Sequence, residues 1–190
     1  MVRARKFSKK ELYQTTKEIL LDHGYDGFTF SKVAKRLDVS RGTIYKYFEK
    51  KEELITEYMV YEMEQFIIKL EKVDRIQLFQ DQFHYLIDII FEDSDIHQIR
   101  GIAFHIPTVT EGVRKNKEKL EKLHQHMYKY LQQFVKLGRK EKILKQNLPD
   151  SLIIGFIFQT IDIPNHFRVP EQEWAASIKE IISHGMFIEN

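Results

Sequence analysis

The chain has 190 residues, of which 43% are hydrophobic and 31% are charged, and it contains no cysteine. The lack of cysteine excludes disulfides, thiol catalysis and cysteine-ligated zinc, and no apolar run approaches the roughly 18 residues that a membrane-spanning helix needs. We therefore expect a globular protein of the cytoplasm with no membrane partner. Few prolines and glycines, and no alternating strand pattern, predict an all-α fold.

The charge is distributed unevenly along the chain, although the formal net charge is only +2. Residues 1–51 hold 13 Lys and Arg against 6 Asp and Glu, a balance of +7, and the remainder carries −5. This asymmetry indicates a basic module that meets a polyanion, joined to a mildly acidic module that does not. Binding to anionic lipid would need a broad exposed apolar face, whereas the apolar residues of the basic part have the spacing of residues that pack inward.

The first predicted helix follows a short basic arm of Arg3, Arg5 and Lys6. Such an arm suits contacts with phosphates or a minor groove, and equally suits a terminus that only aids solubility. Ser8 and Glu11 form a capping box that marks the start of the helix, and Gly24 marks its end.

The next two helices are short and are joined by a tight turn. Residues 29–37 have the apolar spacing of an amphipathic helix, and Ser40 is suited to cap a second helix that begins near Arg41. Ile44 and Phe48 face inward, which leaves an outward face rich in hydrogen-bonding side chains. The arrangement matches a helix-turn-helix, whose second helix enters the major groove of DNA. Spacing alone leaves open an ordinary surface hairpin whose basic residues are only solvated.

The rest of the chain is predicted to be helical as well. We expect helices over residues 51–73, 76–91, 96–106 and 113–137, the last ending at Gly138, with a turn at residues 93–95. The run over residues 152–158 is apolar on nearly every side and must be covered on several faces. A final helix carries an apolar stripe of Trp174, Ile178, Ile181, Ile182 and Gly185.

A resemblance to a known family adds to these observations. The matching positions are Gly24-Tyr25, Phe28-Thr29, Val33-Ala34, residues 39–45, Tyr47-Phe48 and residues 51–54. Together they resemble the DNA-binding signature of TetR-type transcriptional regulators, in a match that is dense over residues 7–54. The chain departs from the family pattern at Leu37-Asp38, where Ala-Gly is most common, and at Lys50, where a capping Ser or Thr is common. Asp tolerates the left-handed turn that Gly would supply, and Glu52 and Glu53 favour the positive end of the next helix.

The resemblance implies an organisation and a function. Residues 1–50 would form a three-helix DNA-binding domain with the helix-turn-helix, and residues 51–190 a larger helical domain for effector binding and dimerisation. The protein would be a homodimer through its last two helices, and a repressor released from a palindromic operator on double-stranded DNA by a small-molecule effector. In the family, the helix after the helix-turn-helix tilts on ligand binding and changes the spacing of the two recognition helices.

The resemblance also implies roles for individual residues. The predicted contacts are Arg41, Thr43 and Lys46 with base edges, and Thr29, Tyr45, Tyr47 and Lys51 with phosphates; Ser40 caps the recognition helix, and Gly42 allows its backbone to approach a phosphate. Our candidates for the wall of an effector pocket are Phe79, Phe83, Phe104, His105, His124, Tyr128 and Phe158. An apolar or aromatic effector would suit them, but the same aromatic residues could simply fill a core.

Other functions have less support in the sequence. His124 and His126 are two residues apart and diverge on a helix, so we expect no metal and no cofactor. The chain has no Gly-rich phosphate loop, nucleophile elbow or zinc-protease motif, which argues against an enzyme. The alternatives left open are a ligand-independent DNA-binding protein, an activator, and a helical small-molecule-binding or enzymatic protein that does not read DNA.

Overall fold

The computed structural model describes residues 7–92, 99 and 106–188 of the chain. Over these residues it is all-α, and its one β feature is an isolated antiparallel bridge between Leu144 and Phe187. The helices are α1 (Lys9–Gly27), α2 (Phe30–Arg36), α3 (Arg41–Tyr45), α4 (Lys51–Leu70), α5 (Phe79–Glu92), α6 (Glu111–Lys140), α7 (Asp150–Gln159) and α8 (Glu171–Met186). Within the same ranges, no helix is both long enough and apolar enough to cross a membrane.

Some predictions fall on residues that the structure does not describe. These are the basic arm of Arg3, Arg5 and Lys6, the turn at residues 93–95, and all of the predicted helix over residues 96–106 except Ile99 and Ile106. Two of the candidate pocket residues, Phe104 and His105, lie in the same undescribed stretch.

The chain divides into two compact units that do not follow its order. The first unit combines Met1–Glu64 with Asp95–Lys122, and the second combines Gln65–Ser94 with Leu123–Asn190. Helices α4 and α6 therefore contribute residues to both units. These units describe packing, so the functional division at residue 50 stays a prediction.

The core of the first unit is built from every helix that contributes to it. Its most deeply buried members include Leu12 and Ile19 of α1, Phe28, Val33 of α2, Ile44 of α3, Leu54 and Ile55 of α4, and Val113 of α6. Burial of apolar side chains on this scale is the main source of folding free energy. The start of α6 is thus held in the same core as the helix-turn-helix.

Two of the three local signals predicted at the start of the chain are found in the structure. Ser8 and Glu11 form the capping box, with the Ser8 backbone amide donating to the Glu11 carboxylate at 2.6 Å. The predicted end of α1 at Gly24 is wrong, since the helix continues to Gly27, but Gly24 interrupts it with a left-handed φ of 64°, a conformation that favours glycine. Asp38 adopts φ 50° in the turn after α2, as expected for the residue that replaces the family's Gly.

The second unit has a separate core formed by α5, the later part of α6, α7 and α8. Phe79 and Phe83 of α5 are 2% and 1% exposed, and the Phe79 ring stacks on Phe134 of α6 with centroids 4.6 Å apart. The predicted end of α6 at Gly138 is wrong, since the helix continues to Lys140, and Lys142 takes the left-handed conformation with φ 59°. Gly138 has a packing role, because a Cβ there would lie 2.8 Å from Leu144 Cδ1 and closer still to the Phe79 ring.

Substitution of Gly138 by Ala should therefore destabilise the protein. The added methyl would force apart Phe79 and Leu144, and overpacking of this kind costs about 1–3 kcal/mol. We expect the free energy of unfolding, measured by urea denaturation, to fall by that amount. Gly42→Ala is the matched control, because a Cβ there meets no atom closer than 3.9 Å. A Gly138→Ala protein as stable as the Gly42→Ala protein would contradict this packing role.

Candidate nucleic-acid interface

The recognition helix α3 is held in place by caps, a turn and two buried side chains. The Thr29 hydroxyl accepts the Lys32 amide at the start of α2, and the Ser40 hydroxyl accepts the Thr43 amide at 3.2 Å at the start of α3. On the inner face of this segment, Ile44 is fully buried and Phe48 is 5% exposed. Since a helix of 5 residues is far too short to be stable alone, this burial fixes it.

All nine residues of the predicted DNA-binding set lie in the described part of the chain. Those exposed to solvent are Thr29, Ser40, Arg41, Gly42, Tyr45, Lys46 and Tyr47, whereas Thr43 and Lys51 are half-buried. The Thr43 hydroxyl shares a 2.9 Å hydrogen bond with the Ser40 hydroxyl. Helix α3 and the residue after it therefore expose Arg41, Tyr45 and Lys46 to a ligand.

Arg41 is oriented by its neighbours. One guanidinium nitrogen, Nη2, donates to the Tyr45 hydroxyl at 2.8 Å, and the guanidinium carbon lies 5.1 Å from the centre of the Tyr45 ring. The Tyr45 ring in turn meets the buried Phe30 ring edge-on, with centroids 5.0 Å apart. A side chain held in this way loses less rotamer freedom when it binds. Sequence reasoning assigned Arg41 and Tyr45 separate roles and missed their contact, although their spacing of four residues permits it.

Tyr47, which follows α3, has a similar support. Its ring meets the buried Phe7 ring edge-on, with centroids 5.9 Å apart and planes inclined by 74°. Each of the two exposed tyrosines near the recognition helix is therefore backed by a buried phenylalanine. Ring contacts of this kind limit the positions that the two exposed side chains can adopt.

Lys51 connects the start of α4 to the end of α1. Its ammonium donates to the Tyr25 backbone carbonyl at 2.7 Å and lies 4.1 Å from the centre of the Tyr25 ring. The Tyr25 hydroxyl donates to the Glu52 carboxylate at 2.6 Å. Burial, followed by this hydrogen bond, raises the pKa of Tyr25 to about 12. Besides carrying a positive charge, Lys51 thus contacts the backbone carbonyl and the ring of Tyr25 within the first unit.

Arg36 belongs to the packing of the helix-turn-helix. Its guanidinium bonds the carboxylates of Glu18 and Asp22 on α1, and the hydrogen bond to Asp22 is the main cause that raises the pKa of Arg36. These groups are exposed, so solvent screens the pairs and they contribute little to stability. The main consequence of these pairs is that Glu18 and Asp22 balance the positive charge of Arg36. Among the described residues, Lys46 has no such ion pair.

The described candidates for the effector pocket are dispersed within the second unit. Phe79 and Phe83 lie in its core, and Phe158 is half-buried against Phe66, with ring centroids 6.2 Å apart. On α6, His124 is half-buried and Tyr128 is exposed. A cavity of about 240 Å³ opens elsewhere on this unit, between Gln80, Lys142, Ile143, Ser183, His184, Phe187 and Ile188. Effector binding by the predicted residues stays a prediction.

Titratable side chains in the described ranges do not form a metal site, since no group of three or more His, Asp or Glu comes close enough to hold an ion.

Comparison with known proteins agrees with this geometry. Residues 12–58 match the family described as bacterial regulatory proteins, tetR family. Over 143 residues the chain is 25% identical to YhgD, an uncharacterised HTH-type transcriptional regulator of Bacillus subtilis (strain 168), and the match covers 75% of this chain and 74% of that protein.

Solved structures of regulators share the fold over nearly the whole chain. FadR from Bacillus subtilis, in complex with stearoyl-CoA, has a TM-score of 0.70 at 20% identity, covering 94% of this chain and 99% of that one. The ketosteroid transcriptional regulator KstR2 of Mycobacterium tuberculosis has a TM-score of 0.72 at 15% identity, covering 100% and 98%. Residues 12–58 thus match the tetR family of bacterial regulatory proteins, and the chain as a whole shares the all-α fold of these solved regulators.

Proposed function

We propose that the protein is a homodimeric repressor that binds a palindromic operator through α3 and is released by a small apolar or aromatic effector. The observation that carries this proposal is the exposed surface of α3 and of the two residues after it, where Tyr45 holds Arg41 in place and Lys46 and Tyr47 are exposed. DNA binding places the protein in the cytoplasm, in a regulatory and not an enzymatic role. Residues 1–50 would provide the DNA-binding domain, and residues 51–190 effector binding and dimerisation.

The outer face of α3 has the chemistry needed to read bases. Arg donates two parallel hydrogen bonds to guanine in the major groove, which is the commonest specific contact with DNA. Arg41 at the first position of α3 is suited to this role, since recognition helices meet bases with their N-terminal residues. Thr43 and Lys46 would contact neighbouring base edges. Thr29, Tyr45, Tyr47 and Lys51 would contact phosphates and set the register of the helix in the groove.

An Arg41→Ala protein should lose sequence preference at one base pair in each half-site. Discrimination at that position should fall by about 1–3 kcal/mol, because a bidentate contact to a base is lost. Binding to single-substituted operators, measured at fixed salt, gives this quantity position by position. Lys136→Ala is a suitable control, because it removes a positive charge from an exposed residue of α6. If both variants bound all operators more weakly by the same factor, Arg41 would have no base-reading role.

Dimerisation through α7 and α8 is supported by their exposed apolar residues. On α7 these are Leu152 and Phe156, and on α8 Ile181 is 62% exposed. A Cβ built at Gly155 or Gly185 meets no atom within 4 Å, so both helices leave space for a close neighbour. A second copy of the same two helices would cover these residues in a four-helix bundle. Such a dimer has to present its two copies of α3 about 34 Å apart, one turn of DNA.

Ile181→Glu should convert the dimer to a monomer. The new carboxylate would be buried without a partner, and we expect the dimer to weaken by at least about tenfold. Mass from light scattering over a range of concentrations measures this change, and circular dichroism checks that the helices remain. Leu78→Glu is the control, since Leu78 is a comparably exposed apolar residue outside α7 and α8. Retention of the dimer in Ile181→Glu would exclude this interface.

Effector binding has indirect support. The Bacillus subtilis FadR structure, which shares the fold, contains stearoyl-CoA, a molecule with a long apolar chain. In this protein the half-buried Phe158 and His124 and the exposed Tyr128 are the described residues that we propose for the site, and Phe104 and His105 lie outside the described residues. The deep burial of Phe79 and Phe83 in a packed core favours the second candidate function, a DNA-binding regulator that needs no ligand.

A further inference from the structure

One carboxylate, that of Glu53, bridges the turn between α3 and α4. Lys50 stands before the first residue of α4, where it offers no side-chain acceptor for the free amides of the helix start. The Glu53 carboxylate reaches back across the turn, and its Oε2 accepts the backbone amide of Glu49 at 2.8 Å. Glu49 directly follows Phe48, the buried residue that anchors the end of the recognition segment. The position of Glu53 therefore affects the position of the recognition helix.

The other oxygen of the same carboxylate is held by the start of α6. Thr110 donates its hydroxyl hydrogen to Glu53 Oε1 at 2.6 Å, while its hydroxyl oxygen accepts the Val113 amide at 3.3 Å. Thr110 thus caps α6 and holds Glu53 at the same time. Gly112 leaves the space for this contact, because a Cβ there would lie 2.8 Å from Glu53 Oε1.

A second pair of hydrogen bonds joins the same two helices one turn further on. The Asn116 side-chain amide donates to the Thr56 hydroxyl at 3.0 Å and to the Glu53 backbone carbonyl at 3.4 Å. Thr56 is almost completely buried, and Val113 lies in the hydrophobic core that contains Ile44 of the recognition helix. The first turns of α4 and α6 therefore pack as one assembly within the first unit.

We propose that Thr110 is a positioning residue for DNA recognition, although it lies 60 residues beyond the predicted DNA-binding domain. It acts through Glu53 on the Glu49 amide and so fixes the turn that sets the angle of α3. The inference rests on the proposed function, since it concerns how the same helix is aimed at DNA. It also gives α6 a direct route to the recognition helix, because a shift of its first turn removes one of the two groups that hold the Glu53 carboxylate.

The test compares Thr110→Val, which removes the hydroxyl at nearly constant volume, with Thr110→Ser, which keeps it. Both full-length proteins are assayed on the operator selected by the wild-type protein and on a scrambled duplex of the same length. Thr110→Val should weaken operator binding by about 3- to 10-fold, the effect of losing the hydrogen bond to Glu53, with little change on the scrambled duplex. Thr110→Ser should bind like wild type. Thr108→Val is the matched control, since it makes the same change at an exposed residue two positions earlier.

Two further variants separate positioning from stability. Gly112→Ala should displace the Glu53 carboxylate without removing the Thr110 hydroxyl, and it should weaken operator binding to a similar degree. In a Glu53→Ala background, Thr110→Val should have no additional effect, because the group through which it acts is gone. Thermal unfolding midpoints, measured for every variant, establish that each protein is folded at the assay temperature.

The outcomes are distinguishable from failure of the proposed function. If the wild-type protein selects no operator, the DNA-binding proposal fails before any variant is compared. If it selects one, and folded Thr110→Val and Gly112→Ala proteins bind it as wild type does, the positioning role of Thr110 is wrong. Equal losses on the operator and on the scrambled duplex would also overturn it, because a misplaced recognition helix reduces preference and not general attraction to DNA.

Discussion

The burial of Ile44 and Phe48 is the constraint on which the DNA-binding surface depends. Helix α3 has 5 residues, and a helix of that length has too few internal hydrogen bonds to offset the loss of chain entropy. Its stability must come from the core below it. That core also contains residues of α1, α2, α4 and the start of α6, so the angle of the recognition helix depends on the packing of segments distant in the sequence.

The outer surface follows from this inner constraint. With Ile44 and Phe48 facing inward, the helical repeat leaves Arg41 and Tyr45 on the outside, four residues apart and in contact with each other. Phe30 and Phe7, which are themselves buried, support the rings of Tyr45 and Tyr47. The same core therefore stabilises the fold and limits the motion of the side chains that we propose to meet DNA.

The sequence predicted features that depend on near neighbours. The capping box at Ser8 and Glu11, the cap at Ser40 and the left-handed turn at Asp38 each involve residues a few positions apart, and all are found in the structure. The family resemblance predicted the fold class, and the structure agrees. What could not be predicted are contacts between distant residues, such as Lys51 with the Tyr25 carbonyl and Thr110 with Glu53, which are 57 positions apart. Neither pair has a local pattern that would indicate it.

Two features of the second unit also depend on contacts that could not be predicted from the sequence. The apolar run of α7 was expected to need cover on several faces, and its exposed Leu152 and Phe156 show that one face is left uncovered within the subunit. Gly138 was interpreted as a helix end from its residue type, whereas its role is to admit the Phe79 ring. A glycine that allows close packing and one that ends a helix cannot be distinguished without the partner residue.

The central claim is that α3 reads DNA sequence as part of a dimer. Selection of the purified protein on random duplex DNA at about physiological salt, followed by sequencing of the retained duplexes, tests it most directly. We expect a palindrome whose half-sites lie about one helical turn apart, because two copies of α3 must enter successive major grooves on one face of the DNA. Binding at low salt with no enriched sequence would contradict the claim, since it would show that the basic surface attracts DNA without reading it.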